Sequence, residues 1–277
     1  MDKKVALITG ASSGMGERMA FELLEKGFCV YAGARRIVAM REIENKGGIA
    51  VELDITSEES MCACVESILK KEGRIDILIN NAGYGSCGAI EDVSMEEVKR
   101  QYEVNVFGLG RMIQLVLPAM RKQNYGKIIN ISSMGGRFTS PFGGWYHSTK
   151  YAVESISDAL RMELRKYDIE VILIEPGMIQ TDWGVIAAQN IRKTSKNSVY
   201  FKDADLAAKY YEKRYGIGKH VLTNPERIAK LVGKIVMKRK NKARYLVGKY
   251  SRVFVFFKTI VPDELFQKVT IRSMGMQ

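Results

Sequence analysis

Along most of its length the chain alternates short runs of β-branched and aliphatic residues with longer stretches of helical period. That alternation restricts the fold more than any other feature. The runs lie at residues 5–8, 29–34, 49–53, 75–80, 127–132 and 170–175, with a late candidate at 244–247. Parallel strands need crossovers between them, and crossovers cover both faces of a sheet, so such strands read as continuous apolar runs. An α/β fold follows, with a doubly wound parallel sheet and helices on both faces. The helical stretches fall at 14–26, 58–71, 95–122, 146–167 and 225–238. In the first, Met19 and Leu23 with Phe21 and Leu24 turn one side to the sheet, and Gly27 stops the helix. Ser94 followed three residues later by Glu97 has the form of a capping box.

No break in composition marks a second folding unit, so residues 1–277 read as one domain. Hydrophobic residues at 46% and charged residues at 27% are ordinary for a soluble protein that buries a sizeable core. The apolar stretch at 5–8 is too short for a signal peptide, and that at 253–257 is too short to span a bilayer. A cytoplasmic protein is expected. Cys29, Cys62, Cys64 and Cys87 lack metal-ligand spacing, and with only His147 and His220 beside them they read as free thiols; no metal is expected. Residues 182–223 are polar and lack strand character, which suits an insertion over the sheet edge acting as a substrate lid. Residues 225–277 form a C-terminal extension.

Charge is unevenly spread. Residues 1–187 hold 22 Lys+Arg against 25 Asp+Glu, a net of −3, whereas residues 188–277 hold 21 against 6, a net of +15. No nucleic-acid motif accompanies the basic third, so nucleic acid is not expected as a partner. An anionic substrate and an anionic membrane surface remain.

The first strand ends in Thr9-Gly10-Ala11-Ser12-Ser13-Gly14-Met15-Gly16 and enters a helix directly. Glycines there let backbone approach a pyrophosphate, and the helix's first amides point at it. At the end of the second strand, where an NAD-binding protein places Asp or Glu, stand Ala34, Arg35 and Arg36. A carboxylate would repel a 2′-phosphate, whereas a guanidinium can hold it, so NADP(H) is the expected cofactor. The alternative for the arginine pair is a solvated helix start.

Three further segments follow: Asn80-Asn81-Ala82-Gly83, Ile131-Ser132-Ser133, and Tyr146-His147-Ser148-Thr149-Lys150. Together with the glycine turn they resemble the short-chain dehydrogenase/reductase family in its single-domain form, over about residues 3–181. The resemblance implies a Rossmann-type sheet of about seven strands and a catalytic tetrad of Asn105, Ser133, Tyr146 and Lys150. It also implies that Asp54 and Ile55 meet the adenine, that Asn81, Ala82 and Gly83 line the adenosine side, and that Pro176, Gly177, Ile179 and Thr181 hold the nicotinamide carboxamide. A homodimer or homotetramer is expected.

The chemistry accounts for these residue types. A hydride arriving at a carbonyl leaves an oxygen that must take up a proton, and Tyr146 can give it. Lys150, four residues on and so on the same helix face, would favour the tyrosinate and lower the phenol's pKa. Ser133 would orient the substrate oxygen, and Asn105 would hold a water linking Lys150 to solvent. His147 points about 100° away from Tyr146 on a helix and is not expected to be catalytic. Gly143, Gly144 and Trp145 are expected to shape the pocket wall. Alone, each motif has a structural reading; their order and placement at strand ends decide for the site.

Between 248 and 262 the pattern is again helical. Tyr250, Phe254, Phe257 and Val261 form one face with Val253 and Ile260 beside it, while Val255 and Phe256 fall outside. Lys249, Arg252 and Lys258 ring that face. Core packing is one reading, and contact with a membrane or an amphipathic anionic substrate the other. The long tail, with Pro225-Glu226-Arg227-Ile228-Ala229, resembles the branch holding 17β-hydroxysteroid and retinol dehydrogenases and acyl-dihydroxyacetone-phosphate reductases. That branch implies a lipophilic alcohol or carbonyl substrate of steroid, retinoid or acyl-lipid type. Two readings of another class stand beside the enzyme: a non-catalytic NADP(H)-sensing protein, and a peripheral membrane-binding protein on the same fold.

Overall fold

A computed structural model describes residues 3–215, 222–249 and 251–277, so Tyr250 and His220 lie outside the described residues. The first half runs β1 (Val5–Thr9), α1 (Gly14–Glu25), β2 (Cys29–Ala34), α2 (Arg41–Asn45), β3 (Ile49–Glu52), α3 (Glu58–Glu72), β4 (Ile77–Asn80), α4 (Met95–Tyr102) and α5 (Gly108–Lys122). The second runs β5 (Gly126–Ile131), α6 (Gly144–Glu163), β6 (Ile169–Pro176), α7 (Trp183–Thr194), α8 (Phe201–Tyr215), α9 (Pro225–Met237), β7 (Arg244–Val247), α10 (Ser251–Ile260) and α11 (Asp263–Ser273).

All seven strands are parallel, in the order β3-β2-β1-β4-β5-β6-β7. The order reverses between β1 and β4, and the crevice beyond the strands' carboxyl ends at such a reversal is where sheets of this kind bind ligands. Side chains alternate between two buried faces. Ile8, Val30 and Ile79 pack with Met19, Leu23, Ile228 and Val232 of α1 and α9. Leu7, Leu78, Ile128 and Val171 pack with Ile68, Met112 and Val153 of α3, α5 and α6. Each such aliphatic side chain contributes about 1.5–3 kcal/mol when fully buried. Gly27, at φ +82°, ends α1 as its sequence position suggests.

Several elements differ from their sequence reading. The stretch 95–122 is not one helix: residues Glu103–Phe107 form a π-helical segment between α4 and α5. Such segments are frequent at functional sites, and this one carries Asn105. Ser94 caps α4 by accepting from the Glu97 amide at 3.3 Å, but Glu97 Oε1 accepts from Tyr84 Oη at 3.0 Å, so its carboxylate serves the loop after β4. Residues 182–215 form a helical hairpin, α7 and α8. A stripe of alanines at 187, 188, 204, 207 and 208 packs it against Cys87, Met274 and Met276. The polar composition of that stretch had concealed the stripe.

The C-terminal face is rotated from its expected setting. Val255 is buried with Phe138 and Phe266, whereas Val253 and Ile260 are 69% and 61% exposed. The cause is α11, which the sequence reading lacked: its Phe266 fills the space beside Phe254 and Phe257, with ring centroids 5.4 and 6.2 Å away. The basic cluster Lys238, Arg239, Lys240 and Lys242 precedes β7 and so sits at the sheet's amino end. There the buried Lys127 Nζ donates to the carbonyls of Ile235, at 3.0 Å, and Lys238, and pairs with Glu170 at 3.1 Å. That cluster is on the far edge from the strands' carboxyl ends. Among the described residues no helix is long and apolar enough to cross a membrane.

Candidate active site

β1 ends at the reversal point, and its turn is fixed by the loop after β4. Thr9 Oγ1 accepts from the amides of Asn81, at 3.1 Å, and Ala82, at 3.0 Å, while Asn81 Nδ2 donates to the carbonyls of Thr9 and Gly10. Gly10 sits at φ +66°, and a Cβ there would lie 2.8 Å from Ala82 Cα; a Cβ on Gly16 would collide with the Gly10 carbonyl oxygen. Gly14, Met15 and Gly16 open α1, and the extended Ser13 before them makes no side-chain cap, so its hydroxyl does not close off the helix's amino end beside Ser12. A close-approach turn with a helix dipole behind it fits a pyrophosphate.

The neighbouring strand ends give the adenosine side. Arg35 and Arg36 follow β2 and are exposed, and their side chains make no hydrogen bond among the described residues. Arg35 is close enough to act on Asp54: burial would raise that carboxyl, but hydrogen bonds from Thr56 and the charge of Arg35 outweigh it and hold Asp54 below its ordinary value. Ile55 is buried against Gly108, which positions the loop that carries Asp54. Two guanidiniums with no carboxylate on β2 suit a 2′-phosphate.

A cavity of about 330 Å³ brings together Met15, Asn81, Gly83, Ser133, Tyr146, Lys150, Pro176, Gly177, Ile179 and Thr181. Tyr146 lies in the first turn of α6, which begins at Gly144, earlier than the sequence pattern suggests. The Ser133 hydroxyl accepts from the Gly135 amide at 3.0 Å and is within hydrogen-bonding reach of Tyr146. Lys150 Nζ donates to the Ile131 carbonyl at 2.9 Å and sits 5.9 Å from the centre of the Tyr146 ring. Asn105 lies behind these groups. Its Oδ1 accepts from the Tyr84 amide, and its Nδ2 donates to the Tyr84 carbonyl and Thr149 Oγ1, at 2.8–3.0 Å. Asn105 therefore locks the loop after β4 to the helix that carries Tyr146 and Lys150.

The electrostatics depart from expectation in one respect. Burial pushes the Tyr146 phenol up to about 12, against a smaller lowering by Ser133, so the phenol is not held below its ordinary value in the protein alone. Burial also pushes Lys150 down to about 8, opposed by the carboxylate of Glu154 one turn along α6. Glu154 Oε2 accepts from Arg244 at 3.1 Å, and its Oε1 has no hydrogen-bond partner among the described residues. Glu175 is raised by burial and then by Glu154. A neutral Lys150 cannot stabilise a tyrosinate, so turnover in the reductive direction is expected to fall as pH rises through about 8. Glu154→Gln removes the group that holds Lys150 up and should move that fall to lower pH. A pH–rate profile with the same descending limb in both proteins would refute the coupling.

His147 is occupied structurally. Its Nδ1 is 2.8 Å from the Gly135 carbonyl and its Nε2 is 3.1 Å from Ser140 Oγ, and burial lowers its pKa. Gly143, Gly144 and Trp145 do not line the cavity. They pack on His147 and Ile90, with Trp145 Nε1 donating to the Ile90 carbonyl at 3.2 Å.

Sequence reading named none of the residues of the cavity's outer walls as wall residues, although α7 and α8 lie within the stretch 182–223 expected to act as a substrate lid. The walls come from α7 and α8 (Trp183, Tyr211, Arg214, Tyr215), from Phe138, and from the last two helices (Ser251, Phe254, Thr270). Trp183 lies 5.1 Å from Tyr146, centroid to centroid, and Arg214 stacks on Tyr210 at 4.4 Å. Tyr211 and Tyr215 stand four residues apart on α8, a spacing that puts both on one side of a helix and was the available signal.

Comparison with known proteins places the chain among close relatives. The profile described as short chain dehydrogenase matches residues 4–192. A 3-ketodihydrosphingosine reductase of Bacteroides thetaiotaomicron is 38% identical over 270 residues, covering 96% of each chain. An NADPH-dependent 3-dehydrocapnine reductase of Ornithobacterium rhinotracheale is 35% identical over 282 residues, 98% of this chain and 97% of that one. The crystal structure of a short-chain dehydrogenase from Streptomyces avermitilis superposes with a TM-score of 0.81 at 27% identity, covering 98% of this chain and 96% of that one.

Proposed function

The chain belongs to the short-chain dehydrogenase/reductase family, oxidoreductases of alcohol and carbonyl groups, and from that premise we propose that it reduces the ketone of a long-chain amphipathic substrate with NADPH. The cavity carries the reading. Its inner end holds Ser133, Tyr146 and Lys150, its walls are aromatic, and two cationic residues, Arg214 and Lys249, line it. An apolar wall with a few placed polar groups and a volume of this order suits a ligand mostly buried on binding. Two relatives are named as reductases of 3-ketodihydrosphingosine and 3-dehydrocapnine, the second as NADPH-dependent, which supports both the direction and the cofactor.

The glycine turn would hold the pyrophosphate, Arg35 and Arg36 the 2′-phosphate, and Pro176 to Thr181 the carboxamide. When bound, the reduced nicotinamide supplies the hydride. Ser133 donates to the substrate oxygen and fixes the carbonyl in place. Tyr146 transfers its phenolic proton to that oxygen, so the ketone becomes an alcohol and the phenol a tyrosinate. Lys150 stabilises the tyrosinate, and Asn105 keeps both residues in register through Tyr84 and Thr149. A phenol raised to about 12 retains its proton at neutral pH, which suits donation.

The test follows absorbance of NADPH and NADH with a series of ketones of rising chain length, with and without a charged head group. NADPH oxidation with KM falling as the chain lengthens is the expected result. Tight NADPH binding without turnover of any ketone or alcohol would favour the nucleotide-sensing alternative.

A further inference from the structure

α10 has the sequence Ser-Arg-Val-Phe-Val-Phe-Phe-Lys-Thr-Ile and contains no carboxylate. Its inner side is spent on the protein: Ser251 and Phe254 line the cavity, and Val255 joins Phe138 and Phe266. Its outer side carries Val253, Phe256 and Ile260, which are 69%, 62% and 61% exposed. Spacings of three and four residues set these three within about 60° of one another around the helix. On α11, Leu265 and Val269, also one turn apart, are 47% and 40% exposed. Single exposed aliphatics are ordinary on a monomer, but a row of them on one short helix marks a contact surface.

Charge selects what the row contacts. Arg252 borders it, and residues 249–277 hold five Lys and Arg against Asp263 and Glu264. Asp263 is already engaged by Lys258. A second copy would bring the same cationic rim and a basic third of net +15, and like charges so placed repel. An anionic bilayer offers an apolar interior beneath negative head groups, the complement of an apolar row between cations.

We infer that α10 docks on an anionic lipid surface through Val253, Phe256 and Ile260, with Arg252 meeting the head groups. Because Phe254 of α10 and Thr270 of α11 line the cavity from the other side of the same helices, docking sets the cavity wall against lipid. An apolar ketone would then pass between bilayer and site without crossing water. The basic cluster at Lys238–Lys242 plays no part, since it lies at the amino end of the sheet.

The test is flotation of the full chain with phosphatidylcholine vesicles with and without phosphatidylglycerol, and it needs no substrate. The chain should float only with phosphatidylglycerol and be released by salt. Joint replacement Val253→Ser, Phe256→Ser and Ile260→Ser should weaken binding by about tenfold or more, with NADPH affinity retained as a check of folding. Phe256→Trp gives a second reading, a blue shift of its added indole emission, relative to the parent, when anionic vesicles are supplied. The proposal is overturned if the triple variant floats like the parent, or if the emission of the Phe256→Trp variant does not move. It is equally overturned if the parent is a dimer that the triple variant loses, or if binding disappears instead on neutralising Lys238, Arg239, Lys240 and Lys242.

Discussion

Tyr146→Phe is expected to lower turnover by roughly 10²–10⁴-fold while leaving NADPH affinity nearly unchanged, because only the transferable proton is lost. The ring stays in place: its contacts with Trp183 at 5.1 Å and His147 at 5.7 Å do not involve the hydroxyl. Single-turnover kinetics with the best ketone, beside cofactor titration by fluorescence, separates the two quantities. A variant keeping half the parent rate would remove Tyr146 from the chemistry. Lys150→Met should differ in kind, losing cofactor affinity as well as rate, since its ammonium faces the same crevice.

Arg35→Ala should weaken NADPH by roughly 10- to 150-fold and leave NADH nearly untouched. Hydrogen bonds to a charged group are worth about 1.5–3 kcal/mol, and each 1.4 kcal/mol is about tenfold in affinity. The Arg35 side chain has no hydrogen bond elsewhere in the described chain, so its removal should not disturb the fold. Adding Ala34→Asp should tilt preference further toward NADH by repelling the 2′-phosphate and offering the ribose a partner. Isothermal titration with both cofactors decides the matter: equal losses would make Arg35 structural, and Arg36 the next to test.

The half of the site built at strand ends was legible in the sequence, because strands and the turns that follow them leave local marks. Gly10 to Gly16 follow one strand, Asn81 to Gly83 another, and Ser133 a third. Tyr146 and Lys150 share a helix face by spacing alone. On the substrate side only the stretch 182–223 was legible, as an expected lid; its wall residues were not, because helix packing brings them together. Trp183, Tyr211, Phe254 and Thr270 come from four helices, and beyond the spacing of Tyr211 and Tyr215 nothing in their local sequence distinguishes a wall residue from a core residue. The same limit explains Val255: its burial depends on Phe266, eleven positions further on, across a helix that the hydropathy pattern alone did not reveal. The π-helical setting of Asn105 was equally hidden, since it breaks no periodicity strongly enough to show between two good helical stretches. Tyr146's elevated pKa depends on how deeply the cavity is enclosed, which spacing cannot report.

The alanine stripe between α7 and α8 has a further consequence. Side chains of one carbon bring the two helices close but remove little apolar surface from water, and the hairpin lies outside the two clusters that flank the sheet. Amide hydrogens of α7 and α8 should therefore exchange with deuterium well before those of β4 and β5, opening as a unit short of global unfolding. That unit carries Trp183, Tyr211 and Tyr215, the walls nearest the proton donor. A part of the chain less protected than the sheet thus bounds its most enclosed chemistry, and the rate at which product leaves would then be set by how often a pair of alanine-lined helices comes apart.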